Sequence, residues 1–236
     1  MIAKPRKICA LIAAFMLQPA TVHPARPMIT DDARTVDPYA CQVESWARTN
    51  RGSREKWALP SCNFTGNLEV TLGGAITRDA EGSATTDIVF QGKTLLKNLE
   101  TNSYGIGLAV GYVGHPVAHG GRPLGGPYAY MPISLSLADD RVVLHTNVGA
   151  RHVRADSSTR ATWGLGSETM ITPRTYLIAE TFGESRDSAS YQLGFRFWIV
   201  PNRVQVDTTY GNQYGNKPDS RWFSVGLRLL STSFLK

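Results

Sequence analysis

The chain has 236 residues, with 25 Lys and Arg against 19 Asp and Glu for a formal charge of +6, and 42% of its residues are hydrophobic. A mean hydropathy of −0.19 excludes a bundle of transmembrane helices, and a charged fraction of only 19% excludes a disordered chain. A single all-β domain is compatible with these numbers.

The N-terminus predicts a secretory signal peptide over residues 1–25. Three basic residues precede an apolar stretch from Ile8 to Leu17, and small residues follow at Ala20 and Ala25. This is the order of a secretory signal, and the stretch is shorter than the roughly 20 residues of a membrane-spanning helix. A buried core helix is the alternative. We expect cleavage between residues 20 and 25, which lowers the formal charge to +3. The remaining basic residues are scattered, so we expect no nucleic-acid partner.

Cleavage removes Cys9 and leaves Cys41 and Cys62, an even pair in an exported protein. The segment 49–54 is turn-rich, and folding the chain between Arg51 and Gly52 places Cys41 opposite Cys62 and Trp46 opposite Trp57. Opposed residues in a hairpin lie close enough for a disulfide. An oxidising compartment favours that bond over two free thiols or a metal site.

From residue 41 onward, apolar and polar residues alternate with period two, which predicts strands. In residues 191–199, Leu193, Phe195 and Phe197 lie on one face, opposite Gln192 and Arg196. Such segments predict about twelve strands, an even number as closed membrane barrels require. They lie at residues 41–48, 55–62, 66–78, 85–97, 104–114, 128–138, 141–153, 159–171, 174–184, 189–200, 203–212 and 220–231.

The predicted connections alternate between tight turns and longer loops. The tight turns are 63–65, 138–140, 172–173 and 201–202. The longer loops are 49–54, 79–84, 115–127, 154–158, 185–188 and 213–219, and 98–103 departs from the scheme. Outer-membrane barrels have short periplasmic turns and longer outer loops. The sequence therefore predicts a closed antiparallel up-and-down transmembrane β-barrel over residues 41–236.

The polar strand faces are expected to line the lumen of this barrel. A soluble barrel with an apolar interior is the alternative. Tyrosines near both strand ends, such as Tyr104 and Tyr112, match an aromatic girdle instead, and twelve strands exceed the eight of small soluble barrels. The expected lumen residues carry both charge signs, with one histidine: Glu69, Asp87, Lys93, Arg141, His145, Arg151, Arg160, Glu168, Arg196, Asp207 and Arg228.

Residues 26–40 precede the first strand and lack its alternation. We expect either a plug inside the lumen, with Asp31 and Asp32 meeting arginines such as Arg196 or Arg228, or a periplasmic tail. Glycine pairs within strands, such as Gly164 and Gly166, open no helix and are poor nucleotide loops. On an inward face they make room for side chains or a plug.

No catalytic, metal or cofactor site is expected. His115 and His119 have metal-ligand spacing, but Pro116 separates them and no carboxylate lies nearby. His145 with Ser134 or Ser136 resembles a lipase pair, but His145 shares the expected lumen face, where a hydrogen-bonded polar network is the stronger interpretation.

The N-terminal third resembles a known family in three stretches: residues 25–33 (ARPMITDDA), 41–46 (CQVESW) and 57–64 (WALPSCNF). They are similar to the start of Gram-negative outer-membrane proteins of the MetA-pathway phenol-degradation family, over residues 26–78. The resemblance implies an outer-membrane β-barrel that passes small, including aromatic, molecules, and it supplies no catalytic residues.

We therefore expect a non-enzymatic outer-membrane protein that acts as a narrow channel or transporter for small hydrophobic or aromatic solutes. It would be exported across the inner membrane, and its partners would be outer-membrane lipid, the barrel-assembly machinery and the solute. Two alternatives stay open: a soluble periplasmic binding or structural β-protein, and an outer-membrane lipid-modifying enzyme.

Overall fold

A computed structural model describes residues 28–115, 124–154, 156–215, 220–231 and 235. The predicted signal peptide with its cleavage site and the metal ligand considered at His119 lie outside these ranges. No helix within the described ranges is long and apolar enough to cross a bilayer.

Twelve strands, from ten to fifteen residues long, make up the fold. They are β1 Cys41–Asn50, β2 Ser53–Asn63, β3 Leu68–Asp79, β4 Ala84–Lys97, β5 Tyr104–His115, β6 Leu124–Leu137, β7 Val142–Val153, β8 Ser158–Thr172, β9 Thr175–Glu184, β10 Ser190–Val200, β11 Val204–Gln213 and β12 Trp222–Ser231. Each overlaps the strand expected at that place, and the largest shift is at β6, which begins at Leu124 instead of residue 128.

Each strand pairs antiparallel with its sequence neighbours, and β1 closes the sheet by pairing with β12 from Cys41↔Ser231 to Asn50↔Trp222. Closure leaves no strand edge unpaired, which every membrane-spanning sheet requires. The expectation of a closed antiparallel barrel is confirmed. The rim where β1 begins and β12 ends is called the terminal end below, and the opposite rim is called the loop end.

The two faces of the sheet are inverted relative to a soluble barrel. In β10, Leu193, Phe195 and Phe197 are exposed on the outside, whereas Gln192 and Arg196 are buried inside. The same division runs through most of the other strands, so the outer surface is an apolar band, and the interior holds most of the buried charged residues. A soluble barrel would bury the apolar face instead.

Tyrosines mark both rims of the outer surface on β5. The Nζ of Lys97 lies 3.3 Å from the ring centroid of Tyr104 at the terminal end. The guanidinium of Arg154 lies 5.2 Å from the ring of Tyr112 at the loop end. Amphipathic rings with cations beside them are typical of a membrane–water boundary.

The connections follow the expected alternation less strictly. The prediction of a longer loop at 49–54 is wrong. β1 continues to Asn50 and β2 begins at Ser53, so only Arg51 and Gly52 form the turn. At the terminal end, residues 64–67 and 98–103 are longer than a tight turn. Cross-strand pairs such as Thr49↔Arg54 extend the first hairpin into the segment that looked turn-rich.

The first hairpin has the predicted register. Cys41 pairs with Cys62 and Trp46 with Trp57. The two cysteines form a disulfide with a Cα–Cα distance of 4.1 Å, and the two indoles stack with centroids 5.3 Å apart. The disulfide therefore joins the hairpin at the terminal end, next to the point where the N-terminal segment enters the barrel.

Candidate functional site

The predicted lumen residues divide into a buried group and a peripheral group. Glu69, Lys93, His145, Glu168, Arg196, Asp207 and Arg228 are buried inside the barrel. Asp87 and Arg160 are half-buried, and Arg141 and Arg151 are exposed. The peripheral four lie towards the rims, because Arg141 precedes β7 at the terminal end and the other three lie towards the loop end.

Residues 28–37, called the lumen segment below, lie against the inner wall of the barrel. At the terminal end the amide of Tyr39 donates to the carbonyl of Asn63 at 2.8 Å. The Asn63 side chain donates to the carbonyl of Val36 at 2.9 Å. The positive φ of 60° at Tyr39 reverses the chain here, so the segment turns back into the lumen instead of leaving the barrel.

Side chains of the wall bind the backbone of the lumen segment. The amides of Ile29 and Thr30 donate to Glu180 at 2.8 and 2.7 Å. Further along, the amide of Ala33 donates to Ser134 Oγ at 2.8 Å and that of Val36 to Glu69 at 2.7 Å. A segment without a partner strand needs such acceptors, because an unpaired buried N–H is costly.

The acidic pair of the segment faces β4. Lys93 Nζ lies 3.0 Å from Asp31 Oδ1 and 3.2 Å from Asp32 Oδ1. The Tyr130 hydroxyl donates to Asp31 Oδ2 at 2.6 Å. With its amide oriented to satisfy both groups, the Asn147 side chain accepts from the Asp31 N–H at 2.7 Å and donates to the Asp31 carbonyl at 2.8 Å. A lysine thus takes the place that the sequence assigned to an arginine.

The two arginines named in that expectation bind wall residues. Arg196 donates to Glu168 Oε1 at 2.6 Å. Arg228 donates to Gln42 at 2.8 Å and its Nε lies 3.7 Å from Glu44 Oε1. These ion pairs lie in the half of the barrel nearer the terminal end.

Two glycines of β8 make room for the lumen segment. A Cβ added at Gly164 would lie 2.5 Å from Thr30 Oγ1, and one added at Gly166 would lie 2.6 Å from Met28 Cε. Any larger residue at Gly164 would displace Thr30 from the wall. The close approach is what the sequence pattern associated with inward glycines.

Ser134, His145 and Glu168 meet inside the barrel, next to the lumen segment. Ser134 Oγ lies 2.8 Å from His145 Nδ1, and His145 Nε2 lies 3.4 Å from Glu168 Oε1. All three side chains are at most 1% exposed, and Ser134 also accepts the Ala33 amide. Ser136 instead donates to Asp140. The Ser134 hydroxyl thus contacts both His145 and the backbone of the lumen segment.

An apolar layer lies below these charges at the terminal end. Tyr176 and Trp198 are 1% and 2% exposed and pack with Met170 and Leu230. Sequence reasoning missed this layer, because Tyr176 and Ile178 are apolar residues that face the lumen. It also missed Glu180 in the same strand, although alternation with Tyr176 would have placed both on one face.

A cavity of about 310 Å³ lies above the lumen segment, towards the loop end. We call it the vestibule. Trp46, Trp57, Tyr128 and Tyr130 line it, and Ile29 and Thr30 form its floor. Tyr128 and Tyr130 stack with centroids 6.1 Å apart. The volume lies at the small end of the range for ligand pockets, and an apolar lining with a few polar groups is typical of them.

The charged groups around the vestibule are paired. Arg48 Nε lies 3.9 Å from Glu55 Oε1, and Arg151 Nε lies 2.5 Å from Glu184 Oε2. The Glu184 carboxylate also accepts from Arg160 at 2.6 Å, and Arg160 reaches Asp156 at 2.9 Å. In the loop after β7, hydrogen bonds from Ser158 and Arg160 hold the pKa of Asp156 well below its usual range. These three arginines and three carboxylates therefore pair with one another beside the vestibule.

Across the described ranges, no group of three or more His, Cys, Asp or Glu side chains is arranged to hold a metal ion.

A family model described as "Uncharacterised conserved protein UCP029691" matches residues 12–230. No curated protein matches the chain.

Solved structures of outer-membrane proteins share the fold. "KdgM porin in complex with disordered oligogalacturonate" has 10% identity and a TM-score of 0.59, over 80% of this chain and 98% of that one. The NanC porin has 10% identity and a TM-score of 0.56, over 80% and 98%. Outer membrane phospholipase A from Escherichia coli has 8% identity and a TM-score of 0.50, over 84% and 95%. At these identities the likeness is one of fold.

Proposed function

The chain belongs to the UCP029691 family, and from this premise we propose that it is an outer-membrane channel for small molecules, closed by its lumen segment. The observation that carries the proposal is the binding of the segment backbone by Glu180, Ser134 and Glu69. These three residues lie on three different parts of the wall, so the segment crosses the lumen.

The proposed outer-membrane location follows from the apolar outer wall of the barrel. Apolar side chains such as Leu72, Phe90 and Phe195 are exposed around the outside, and burying such a surface in lipid is strongly favourable. The predicted signal peptide would direct the chain across the inner membrane. The barrel-assembly machinery would then insert it with the terminal end towards the periplasm and outer-membrane lipid around its wall.

Small hydrophobic or aromatic molecules are the proposed solutes. Two stacked aromatic pairs line the vestibule, and the arginines that border it are paired, Arg48 with Glu55 and Arg151 with Glu184. The resemblance of residues 26–78 to the MetA-pathway phenol-degradation family stays a prediction and agrees with this class. The relative whose title names oligogalacturonate shares the fold alone.

Deleting residues 28–37 tests the channel and its closure together. Single-channel conductance in planar bilayers is expected to rise several-fold over the full-length protein, because the segment occupies the lumen. Full-length protein with Gly52→Ala, a change in the β1–β2 turn with open space around it, should keep the parent conductance. An unchanged conductance on deletion would show that the segment does not close the lumen, and a deletion variant that conducts nothing would refute the channel.

We propose no catalytic activity. The Ser134–His145 pair is the feature that favours a lipid-modifying enzyme, and its burial inside the wall keeps it from lipid. Substituting Ser134→Ala is expected to leave lipid hydrolysis by the purified protein at the background of vesicles alone. Hydrolysis that the parent shows and Ser134→Ala lacks would establish the enzyme instead.

A soluble periplasmic protein is the remaining alternative, and fractionation tests it. We expect the protein in the outer-membrane fraction, migrating differently on a gel before and after boiling in detergent. A soluble protein without this heat-dependent shift would refute the membrane location.

A further inference from the structure

Three basic residues lie together on the outer wall of the barrel, near the loop end. Arg54 and Lys56 lie at the start of β2, and Arg78 is the last residue but one of β3. All three side chains are exposed. Trp57 and Leu59 of β2 line the vestibule, so Arg54 and Lys56 point outwards, because neighbouring side chains of a strand point to opposite faces. We call these three residues the basic patch.

The basic patch brings like charges together across two strands. The register places Arg54 directly opposite Arg78, and like charges in directly opposed positions destabilise a sheet. Lys56 lies on the same face of β2, two residues further from the loop end, and is opposite Ile76 of β3. A bound anion would offset the repulsion between the two arginines.

Other charged residues of the loop end have partners within the protein. Arg48 lies beside Glu55 on the lumen side. Asp79 directly follows the basic patch in the chain, but its Oδ1 accepts the amides of Glu81 and Ser83 in the turn. Among the residues that the structure describes, no carboxylate forms an ion pair with the basic patch. Its positive charge is therefore available to a ligand.

The basic patch lies where the apolar band gives way to the rim. Ile76 and Ile88 on the adjacent outer wall are 53% and 51% exposed and belong to that band. In the orientation proposed above, with the terminal end towards the periplasm, the loop end faces the outside of the cell. The lipid of that leaflet in Gram-negative bacteria is built on lipid A, whose headgroup carries phosphate groups. Basic clusters at a membrane surface attract such anionic headgroups.

We propose that the basic patch binds a phosphate group of lipid A in the outer leaflet, with the acyl chains of the lipid against Ile76 and the apolar band. This inference rests on the outer-membrane location and orientation in the proposed function, and it is independent of the channel. The planar fork of an arginine matches the oxygens of a phosphate. Arg54 and Arg78 are opposed across neighbouring strands, so one phosphate is within reach of both guanidinium groups.

Three lipids test the chemistry of the headgroup: diphosphoryl lipid A, lipid A without its phosphates, and phosphatidylglycerol. Native mass spectrometry of the protein in detergent micelles, titrated with each lipid, measures bound lipid and affinity. We expect diphosphoryl lipid A to bind at least about tenfold more tightly than the form without phosphates. Equal affinity for these two forms would overturn the proposal.

Two further measurements identify the source of the phosphate. Phosphatidylglycerol is expected to bind more weakly than diphosphoryl lipid A, because each of its headgroups carries a single phosphate. Inorganic phosphate should not displace lipid A, because it lacks the acyl chains that contact the apolar band. Equal affinity for phosphatidylglycerol, or displacement by inorganic phosphate, would show a surface for any anion and overturn the assignment to lipid A.

Variants then locate the site. Arg54→Gln combined with Arg78→Gln is expected to weaken diphosphoryl lipid A binding about tenfold or more. The same variant should unfold at a higher urea concentration without lipid A, since the opposed like charges are gone. Arg174→Gln combined with Arg203→Gln removes two exposed arginines at the terminal end and should leave lipid A affinity unchanged. A heat-dependent gel shift verifies folding, and a folded patch variant with parental affinity would refute the site.

Conductance and fractionation distinguish this inference from the proposed function. The basic patch lies on the outer wall, so its double variant should keep the parental conductance. Parental lipid A affinity in a patch variant that fractionates with the outer membrane overturns the site and leaves the location and the channel standing. Patch-dependent lipid A binding in a protein that conducts nothing after deletion of residues 28–37 overturns the channel and leaves the site standing.

Discussion

Lys93 binds the acidic pair of the lumen segment, Asp31 and Asp32, with a single ammonium group. Its Nζ lies 3.0 and 3.2 Å from the carboxylates of Asp31 and Asp32, and the lysine side chain is only 4% exposed. Removing one member of a buried ion pair leaves the other without compensation, which costs about 3–5 kcal/mol. The seated position of the segment therefore depends strongly on this one residue.

Lys93→Met is expected to release the segment. Amide hydrogen exchange across residues 28–37 should rise about 100-fold, as a loss of about 3 kcal/mol implies. Lys97→Met, which removes a lysine at the outer surface of the same strand, should leave exchange unchanged. Adding Asp31→Asn and Asp32→Asn to Lys93→Met should restore part of the protection, because the two carboxylates that Lys93 binds are then replaced by neutral amides. Parental exchange in Lys93→Met would show that the ion pairs do not hold the segment.

Individual residues also show what the period-two alternation can predict and what it cannot. It placed Glu69, Lys93 and His145 on the lumen face because neighbouring side chains along a strand point to opposite sides. It could not select Lys93 over Arg196 as the partner of Asp31, since that choice depends on which wall residues the segment passes. In the structure, the Lys93 side chain on β4 reaches Asp31, whereas Arg196 binds Glu168 on the wall.

The β1–β2 hairpin is the element that connects the lumen segment to the barrel. Its disulfide joins Cys41 to Cys62 across a sequence separation of 21. Just beyond the bond, the amide of Asn63 donates to the carbonyl of Ala40 at 3.0 Å, and Tyr39 donates to Asn63. Holding these strand ends together also holds the turn through which the segment enters the lumen.

Removing the disulfide should lower barrel stability. A covalent link over a loop of this length restricts the unfolded chain by about 3 kcal/mol. We expect the Cys41→Ser, Cys62→Ser double variant to unfold at a lower urea concentration, followed by loss of the heat-modifiable band. Reductant should shift the parent to the same midpoint and leave the double variant where it is. A double variant as stable as the oxidised parent would show that β-pairing alone determines stability there.

The lumen segment itself is an element that periodicity cannot describe. Its backbone amides bind side chains of β3, β6 and β9 instead of a neighbouring strand, so neither a period of two nor one of 3.6 is imposed on it. The sequence indicated a segment without strand character and left two positions open, a plug or a tail. Closure of the barrel brought Glu69, Ser134 and Glu180 into range of one extended chain.

Across the whole molecule, large apolar side chains are exposed on the outer wall of the barrel. The cost of placing a charge on this wall should depend on its depth in the membrane. Phe195 lies in the middle of β10 and is 55% exposed, whereas Tyr210 lies nearer the loop end and is 49% exposed. A charge on the lipid face costs about 2–4 kcal/mol at the membrane centre and about 0–1 kcal/mol near its surface.

Phe195→Arg should therefore destabilise the barrel in lipid vesicles by about 2–4 kcal/mol, and Tyr210→Arg by at most about 1 kcal/mol. Equilibrium unfolding in urea measures both. In detergent micelles, which lack a bilayer of fixed thickness, the difference in stability between the two variants should be smaller. Equal stability of the two variants in vesicles would contradict a membrane around the outer wall.

The sequence by itself determined what depends on local geometry: twelve strands, the face that each residue occupies, and the register of the first hairpin from Cys41↔Cys62 to Trp46↔Trp57. Side-chain alternation and turn position set these features, and both act over a few residues. The tertiary structure decided which distant residues meet, including Lys93 with Asp31, Ser134 with Ala33, and the two aromatic pairs around one vestibule. The first two contacts join the lumen segment to wall residues far away in the chain, and the aromatic pairs come from separate strands. They come together because closing the sheet brings these walls around the lumen segment.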